Sequence, residues 1–216
     1  MDCKEASTKM CSTTGAMADR EYSAGLISQS FWFVEMKKFI NLINDGESEE
    51  EIKKICIEEN LFGAAKEYRA KRIYGYIRNR ARNLDKTLIE MFCTSDLATQ
   101  KIINLITVIK SDRLFFEFML EVYREKIILG IPTIEDSDVN IFFRNKEIQN
   151  EDIALWTDTT KSKLRSVYFN YLTEANLLTA ADKKKAITPP ILDTALDGYL
   201  NTCGESAVIK AITGVD

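Results

Sequence analysis

The chain has no histidine, only three prolines and nine glycines in 216 residues, and no long apolar run. Without histidine there is no Ser-His-Asp or Cys-His arrangement, no imidazole base and no imidazole metal ligand. The five cysteines, Cys3, Cys11, Cys56, Cys93 and Cys203, are odd in number and scattered, with no C-x-x-C pair. They read as reduced thiols in a cytosol, not as a disulfide framework or a zinc site. Neither G-x-x-x-x-G-K-[ST] nor G-x-G-x-x-G occurs among the glycines, which removes both phosphate-cradling loops. The longest apolar stretch, Ile102 to Ile109, is interrupted by Asn104 and Thr107 and is far shorter than the roughly 18 residues of a membrane span. These absences predict no enzyme, no cofactor, no metal and no membrane partner; they point to a cytoplasmic protein that works by binding.

A hydrophobic fraction of 45% is enough to bury a core, and with 29% of residues charged the chain lies far from the compositions that stay disordered. Between its few Pro and Gly residues, apolar side chains recur at helical spacing, so the predicted fold class is all-α. Helices are predicted over Gln29 to Asn44, from a Ser48-x-x-Glu51 capping box to about Asn60, and over Ala64 to Leu84 after a compact turn at Asn60-Leu61-Phe62-Gly63. Further helices run from Ser95 to about Lys110, from Ser111-Asp112 to Gly130, from Asp136 to Gln149, from Glu151 to Trp156 and from Thr159 to Leu178. A small β-hairpin fits the segment after Leu177-Leu178, before the Pro-Pro pair. The expected organisation is a flexible tail over residues 1–20, an N-terminal helical domain over 21–131 and a C-terminal domain over 132–216.

A formal charge of −4 argues against a general polyanion binder, but the charge is unevenly placed. Leu61 to Lys86 holds eight Lys/Arg against two acids, and Lys161 to Lys185 holds six against two. On a helical wheel of the third helix, Ile73, Tyr76, Ile77, Ala81 and Leu84 share one side, while Lys71, Arg78 and Arg82 lie opposite, joined by Arg72, Gly75 and Asn79. A short helix, a turn and a long helix with an exposed basic face is the layout of a helix-turn-helix, whose second helix enters the major groove. The alternative is a solvated face that neutralises the nearby acidic stretch Glu47 to Glu51.

The layout recurs at Ile153 to Trp156, Thr157-Asp158 and the long helix after it. There Leu164, Val167, Tyr168, Tyr171, Leu172 and Ala175 face inward, leaving Thr159, Ser162, Lys163, Ser166 and Asn170 outward. With the hairpin and Lys183, Lys184 and Lys185 following, the order is that of a winged helix, a module that binds either DNA or proteins. The carboxylate clusters Glu49-Glu50-Glu51, Glu58-Glu59 and Asp136 with Asp138 read as solvating charge, and the aromatic residues as core.

Several stretches resemble the BrxA family of the BREX bacteriophage-exclusion systems: Tyr22-Ser23-Ala24-Gly25-Leu26, Glu58-Glu59-Asn60-Leu61, Glu117-Phe118-Met119-Leu120-Glu121-Val122, Thr159-Thr160-Lys161-Ser162-Lys163-Leu164-Arg165 and Leu172-Thr173-Glu174-Ala175-Asn176-Leu177-Leu178. They occur in the family's order between Tyr22 and Leu192, leaving the tail outside. The resemblance implies a NusB-like helical monomer with two helix-turn-helix elements that binds double-stranded DNA, in a system that methylates host DNA and blocks phage replication. It carries Lys71, Arg72, Arg78 and Arg82, and Thr159 to Lys163 including Lys161, over as contacts, and it makes the system's methyltransferase a candidate protein partner. The second element is only modestly basic here. Relatives have been labelled inner-membrane proteins, a label for which this sequence offers no span.

Overall fold

The computed structural model describes Met17, residues 20–181 and residues 184–215. Helix starts are set largely by short polar side chains that accept a first-turn N–H, each worth ~1 kcal/mol because it satisfies an otherwise orphaned donor. In chain order, α1 (Phe33–Asn44) follows a single 3-10 turn at Gly25–Ser28. Ser48 caps α2 (Glu49–Ile57), α3 (Glu67–Ala81) starts without a side-chain cap, Asp85 caps α4 (Lys86–Thr94) and Asp96 caps α5 (Leu97–Ile109). Asp112 caps α6 (Arg113–Phe118), which continues through a π-helical stretch, Met119–Arg124, into a last α-helical turn at Glu125–Ile128. Then come β1 (Thr133–Ile134), α7 (Asp136–Gln149), α8 (Glu151–Ala154) capped by Asn150, and α9 (Asp158–Glu174) capped by Thr157. The hairpin β2 (Leu178–Ala181) and β3 (Lys184–Ile187), α10 (Thr194–Thr202) and α11 (Ser206–Thr213) complete the described chain.

The all-α reading holds, with a small antiparallel sheet in the order β1-β3-β2. The predicted hairpin is present, in the register Leu178 opposite Ile187 and Ala181 opposite Lys184. The strand β1, which pairs Thr133 with Ala186, was not read from sequence.

Three helix boundaries differ for identifiable reasons. The first helix begins at Phe33, not Gln29, because the carbonyls of Ser30 and Phe31 are taken up by the Arg80 guanidinium and Trp32 adopts a left-handed conformation at φ 51°. The third begins at Glu67, not Ala64, because the Asn60 side-chain amide binds both the N–H and the carbonyl of Ala64. That holds Ala64 in the connection, which spans residues 58–66 and is longer than a compact turn. The helix α4 is additional to the predicted helices; its signals are the Asp85 cap and the buried pair Leu88 and Phe92, four residues apart on one face. Ser95 ends α4, and it is Asp96 that opens α5.

The buried apolar residues form one cluster. Every residue from Ile102 to Ile109 is buried, so this part of α5 is enclosed all round, as a central helix should be. Around it, α6 and α9 lock together through Phe115, Phe118, Tyr168 and Tyr171, with ring centroids 4.9–5.7 Å apart across the helices. Phe31 reaches the same Tyr171 at 5.8 Å, and Phe39 of α1 packs edge-on against Tyr74 of α3. Of the expected tail, only Met17 and Arg20 lie within the described residues. Met17 is buried, and Arg20 donates to the Lys110 carbonyl while its own carbonyl accepts from Arg113. Among the described residues no helix is long and apolar enough to cross a membrane.

Candidate nucleic-acid interface

On α3 the core takes Ala70, Ile73, Tyr74, Ile77, Arg80 and Ala81. The crest on the opposite side is Tyr68, Lys71, Arg72, Gly75, Asn79 and Arg82, all exposed. This is the basic face predicted from the wheel, with two changes. Tyr68, 63% exposed, adds an aromatic ring at the start of the crest that the wheel does not include. Arg78 sits lower on the flank, only partly exposed, and its guanidinium pairs with Glu49 in the first turn of α2. For Arg78, then, the neutralising alternative describes the contact that forms. Lys71 holds Glu67 at 2.6 Å one turn away, an exposed pair that leaves the ammonium accessible. Arg72 and Arg82 have no ion pair or hydrogen bond among the described residues.

Arg80 was counted with the basic segment by composition alone, yet it is 1% exposed. Its guanidinium donates to the carbonyl of Phe31 at 3.1 Å, the carbonyl of Ser30 and the amide oxygen of Gln29 at 3.0 Å, and the Tyr171 hydroxyl at 3.1 Å. It also lies 5.6 Å from the ring centres of Trp32 and Tyr171. Burial lowers its pKa from the usual arginine value while the Tyr171 side chain opposes that shift. This one residue ties α3 to the segment before α1 and to α9. A wheel cannot find it, because arginine is scored as a surface residue; its position four residues after Tyr76 and three after Ile77 was the available signal.

In the second element, residues 155–157 join α8 to α9, a connection of helix-turn-helix length. The inward set is as predicted, with Leu164, Tyr168, Tyr171, Leu172 and Ala175 buried and Val167 half-buried; Phe169 joins them. Thr159, Ser162, Lys163, Ser166 and Asn170 are all exposed. Their hydrogen bonds are local: Ser166 donates to the Ser162 carbonyl at 3.0 Å, Ser162 Oγ accepts from Arg165 at 3.3 Å, and Asn170 donates to Glu174 at 2.8 Å. Lys161, which the resemblance carries over as a contact, lies beside this stripe and is not part of it. Its side chain is only 17% exposed, and its ammonium is held by Glu147 of α7 and Asp158, the hydrogen bond it donates to Glu147 being the chief cause of its raised pKa. Lys163 and the half-buried Lys185 have no ion pair or hydrogen bond among the described residues. Lys183 lies outside the described residues, as does the side chain of Lys184.

The described residues thus define a predominantly helical scaffold that presents two polar helical crests, one basic, around a single core. No group of three or more Cys, Asp or Glu suited to holding a metal occurs among them. The family model described as BrxA matches residues 20–204. The BREX protein BrxA of Bacillus cereus (strain H3081.97) is 36% identical over 196 residues, covering 91% of this chain and 98% of that protein. The chain therefore belongs to the BrxA family. A crystal structure of an uncharacterized protein from Magnetospirillum magneticum superposes with a TM-score of 0.76 over 91% of this chain and all of that one; at 18% identity it is alike in fold.

Proposed function

We propose that this protein is the non-enzymatic, double-stranded-DNA-binding component of a BREX-type phage-exclusion system, acting as a monomer through both helical elements. The observation that carries the reading is the crest of α3, where Lys71, Arg72 and Arg82 project beside Tyr68 and Asn79. Cations there suit phosphates and guanine edges, and Asn suits adenine. Gly75 at mid-crest leaves open space, which lets a groove wall approach the helix closely.

The second element supports the same reading by topology. The order β1-α7-α8-α9-β2-β3, with β3 between its two neighbours, is that of a winged helix, with α9 as recognition helix and Lys185 in the wing. Thr159, Ser162, Lys163, Ser166 and Asn170 supply hydroxyl, amide and ammonium groups for phosphate and base edges. The Lys161 and Arg78 ammonium and guanidinium groups serve by orienting their elements, since carboxylates already hold them.

The test is titration of a labelled duplex at several salt concentrations. Four phosphate contacts, from Arg72, Arg82, Lys163 and Lys185, give a slope of log affinity on log salt of roughly −3 to −4. Arg72→Glu with Arg82→Glu should weaken binding at low salt; unchanged affinity rejects the reading.

A second reading, an adaptor that docks other proteins of the system such as a methyltransferase, draws on one observation. Ile141 and Ile148, seven residues apart on α7, are 58% and 81% exposed, and Leu155 after α8 is 82% exposed. Ile148→Lys with Leu155→Lys should then abolish co-purification of that partner and spare DNA affinity.

A further inference from the structure

One flank of α3 does not face open solvent. Arg69 and Arg72, one turn apart, line a cleft of about 190 Å³ whose other wall is Ile27, Ser28, Gln29, Ser30 and Trp32. Neither arginine makes an ion pair or hydrogen bond among the described residues, and no carboxylate lines the cleft. The wall opposite is set by Arg80, which draws the Ser30 and Phe31 carbonyls and the Gln29 amide oxygen to itself. Acceptors are thereby engaged with Arg80, while the Gln29 amide N–H groups and the hydroxyls of Ser28 and Ser30 have no partner among the described residues. The groups that Arg80 hydrogen-bonds are all neutral, and Asp112 is the carboxylate that acts on it electrostatically.

We infer that this cleft is a phosphate-binding site, with Arg69 and Arg72 as the principal ligands and Gln29, Ser28 and Ser30 as secondary donors. Cations and donors without a competing carboxylate suit a tetrahedral oxyanion, and paired guanidinium forks bind phosphate bidentately. The volume takes a phosphate group but falls below the roughly 300 Å³ at the small end of sites that enclose a whole ligand. Two sources share this chemistry: a phosphodiester of the duplex backbone, in which case the site rests on the DNA reading above, and a free phosphate monoester.

The experiment compares wild type, Arg69→Gln/Arg72→Gln and Arg69→Lys/Arg72→Lys in two arms. In duplex titrations the Gln variant should lose about tenfold in affinity and about one unit of salt slope, with the Lys variant recovering only part, because charge without the fork does not rebuild the site. In thermal melts at matched ionic strength, inorganic phosphate in place of chloride should raise the wild-type midpoint more than that of the Gln variant. Changes in both arms identify a backbone phosphate. A change in the melting arm alone supports a monoester site, and it does so even if wild type binds no duplex, an outcome that sinks only the DNA reading. Equal responses of all three proteins in both arms overturn the inference.

Discussion

Asp112 offers a quantitative test of how this core treats charge. Its side chain accepts the Phe115 N–H at 2.8 Å to open α6, yet the residue is 8% exposed. Burial pushes the carboxyl up from 3.8 to about 6, against the opposing pull of the Phe115 and Leu114 N–H groups, Arg20 and Arg80. Since the folded-state pKa is raised, the folded protein retains a proton that the unfolded chain has released between about pH 4 and 6. Stability from this group is therefore highest below the unfolded pKa and is lost as pH rises through that window. A shift of about two units corresponds to roughly 3 kcal/mol at pH 7. Asp112→Asn keeps an oxygen for the cap and removes the buried charge. Its added N–H donors offset about 1 kcal/mol, leaving a net gain of roughly 2 kcal/mol at pH 7, or about 4–8 °C in a chain of this length. At pH 4, where most of the burial penalty is gone and the cost of the added N–H donors remains, the variant should be the less stable of the two by roughly 0.5–1 kcal/mol. Denaturant unfolding of both from pH 4 to 8 reads the difference directly. If the variant proves less stable than wild type at pH 7, attraction between Asp112 and Arg80 exceeds the burial penalty and the reasoning fails.

Other parts of the structure make further commitments. Glu117 accepts from Tyr22 and Arg113 and pairs with Lys146 at 2.5 Å. Its carboxyl, although burial is the largest single influence and raises it, ends below the ordinary value because those donors together outweigh burial. Its contribution is thus present above about pH 4.5 and lost as pH falls through the depressed value. Glu117→Gln should destabilise on the order of 3 kcal/mol at pH 7 and flatten the acid limb of a stability profile; an unchanged acid limb rejects this. The Tyr168 hydroxyl is buried without a partner among the described residues, so Tyr168→Phe should be neutral or stabilising by up to about 1 kcal/mol in urea unfolding, and a clear loss contradicts that account. Gly75→Ala places a methyl in open space within α3 and should add ~1 kcal/mol of stability. If the crest lies against a groove wall, the same change weakens duplex binding, whereas unchanged affinity places Gly75 outside the contact.

Much of this was open to a reading of the residues, because it depends on neighbours within a few positions. The Ser48 and Asp112 caps, the helical periodicity of α5, α6, α7 and α9, the hairpin and the outward stripe Thr159, Ser162, Lys163, Ser166 and Asn170 all follow from local pattern. So did the motif segments that place the chain in its family. What the sequence left undecided involves partners remote along the chain. Whether Arg78 faces solvent depends on Glu49, 29 residues away; Lys161 depends on Glu147, and β1 exists only because β3 returns beside it. Arg80 is the extreme case, an arginine of a basic helix carried into the core by Phe31, 49 residues before it, and Tyr171, 91 residues after. Sequence determined which helices form and which faces are polar, since propensity, capping and periodicity act over a few residues. Tertiary structure decided which of the cations are already held by carboxylates, which one is buried and which two share a cleft, because burial and ion pairing are set by segments that meet only when the chain has folded.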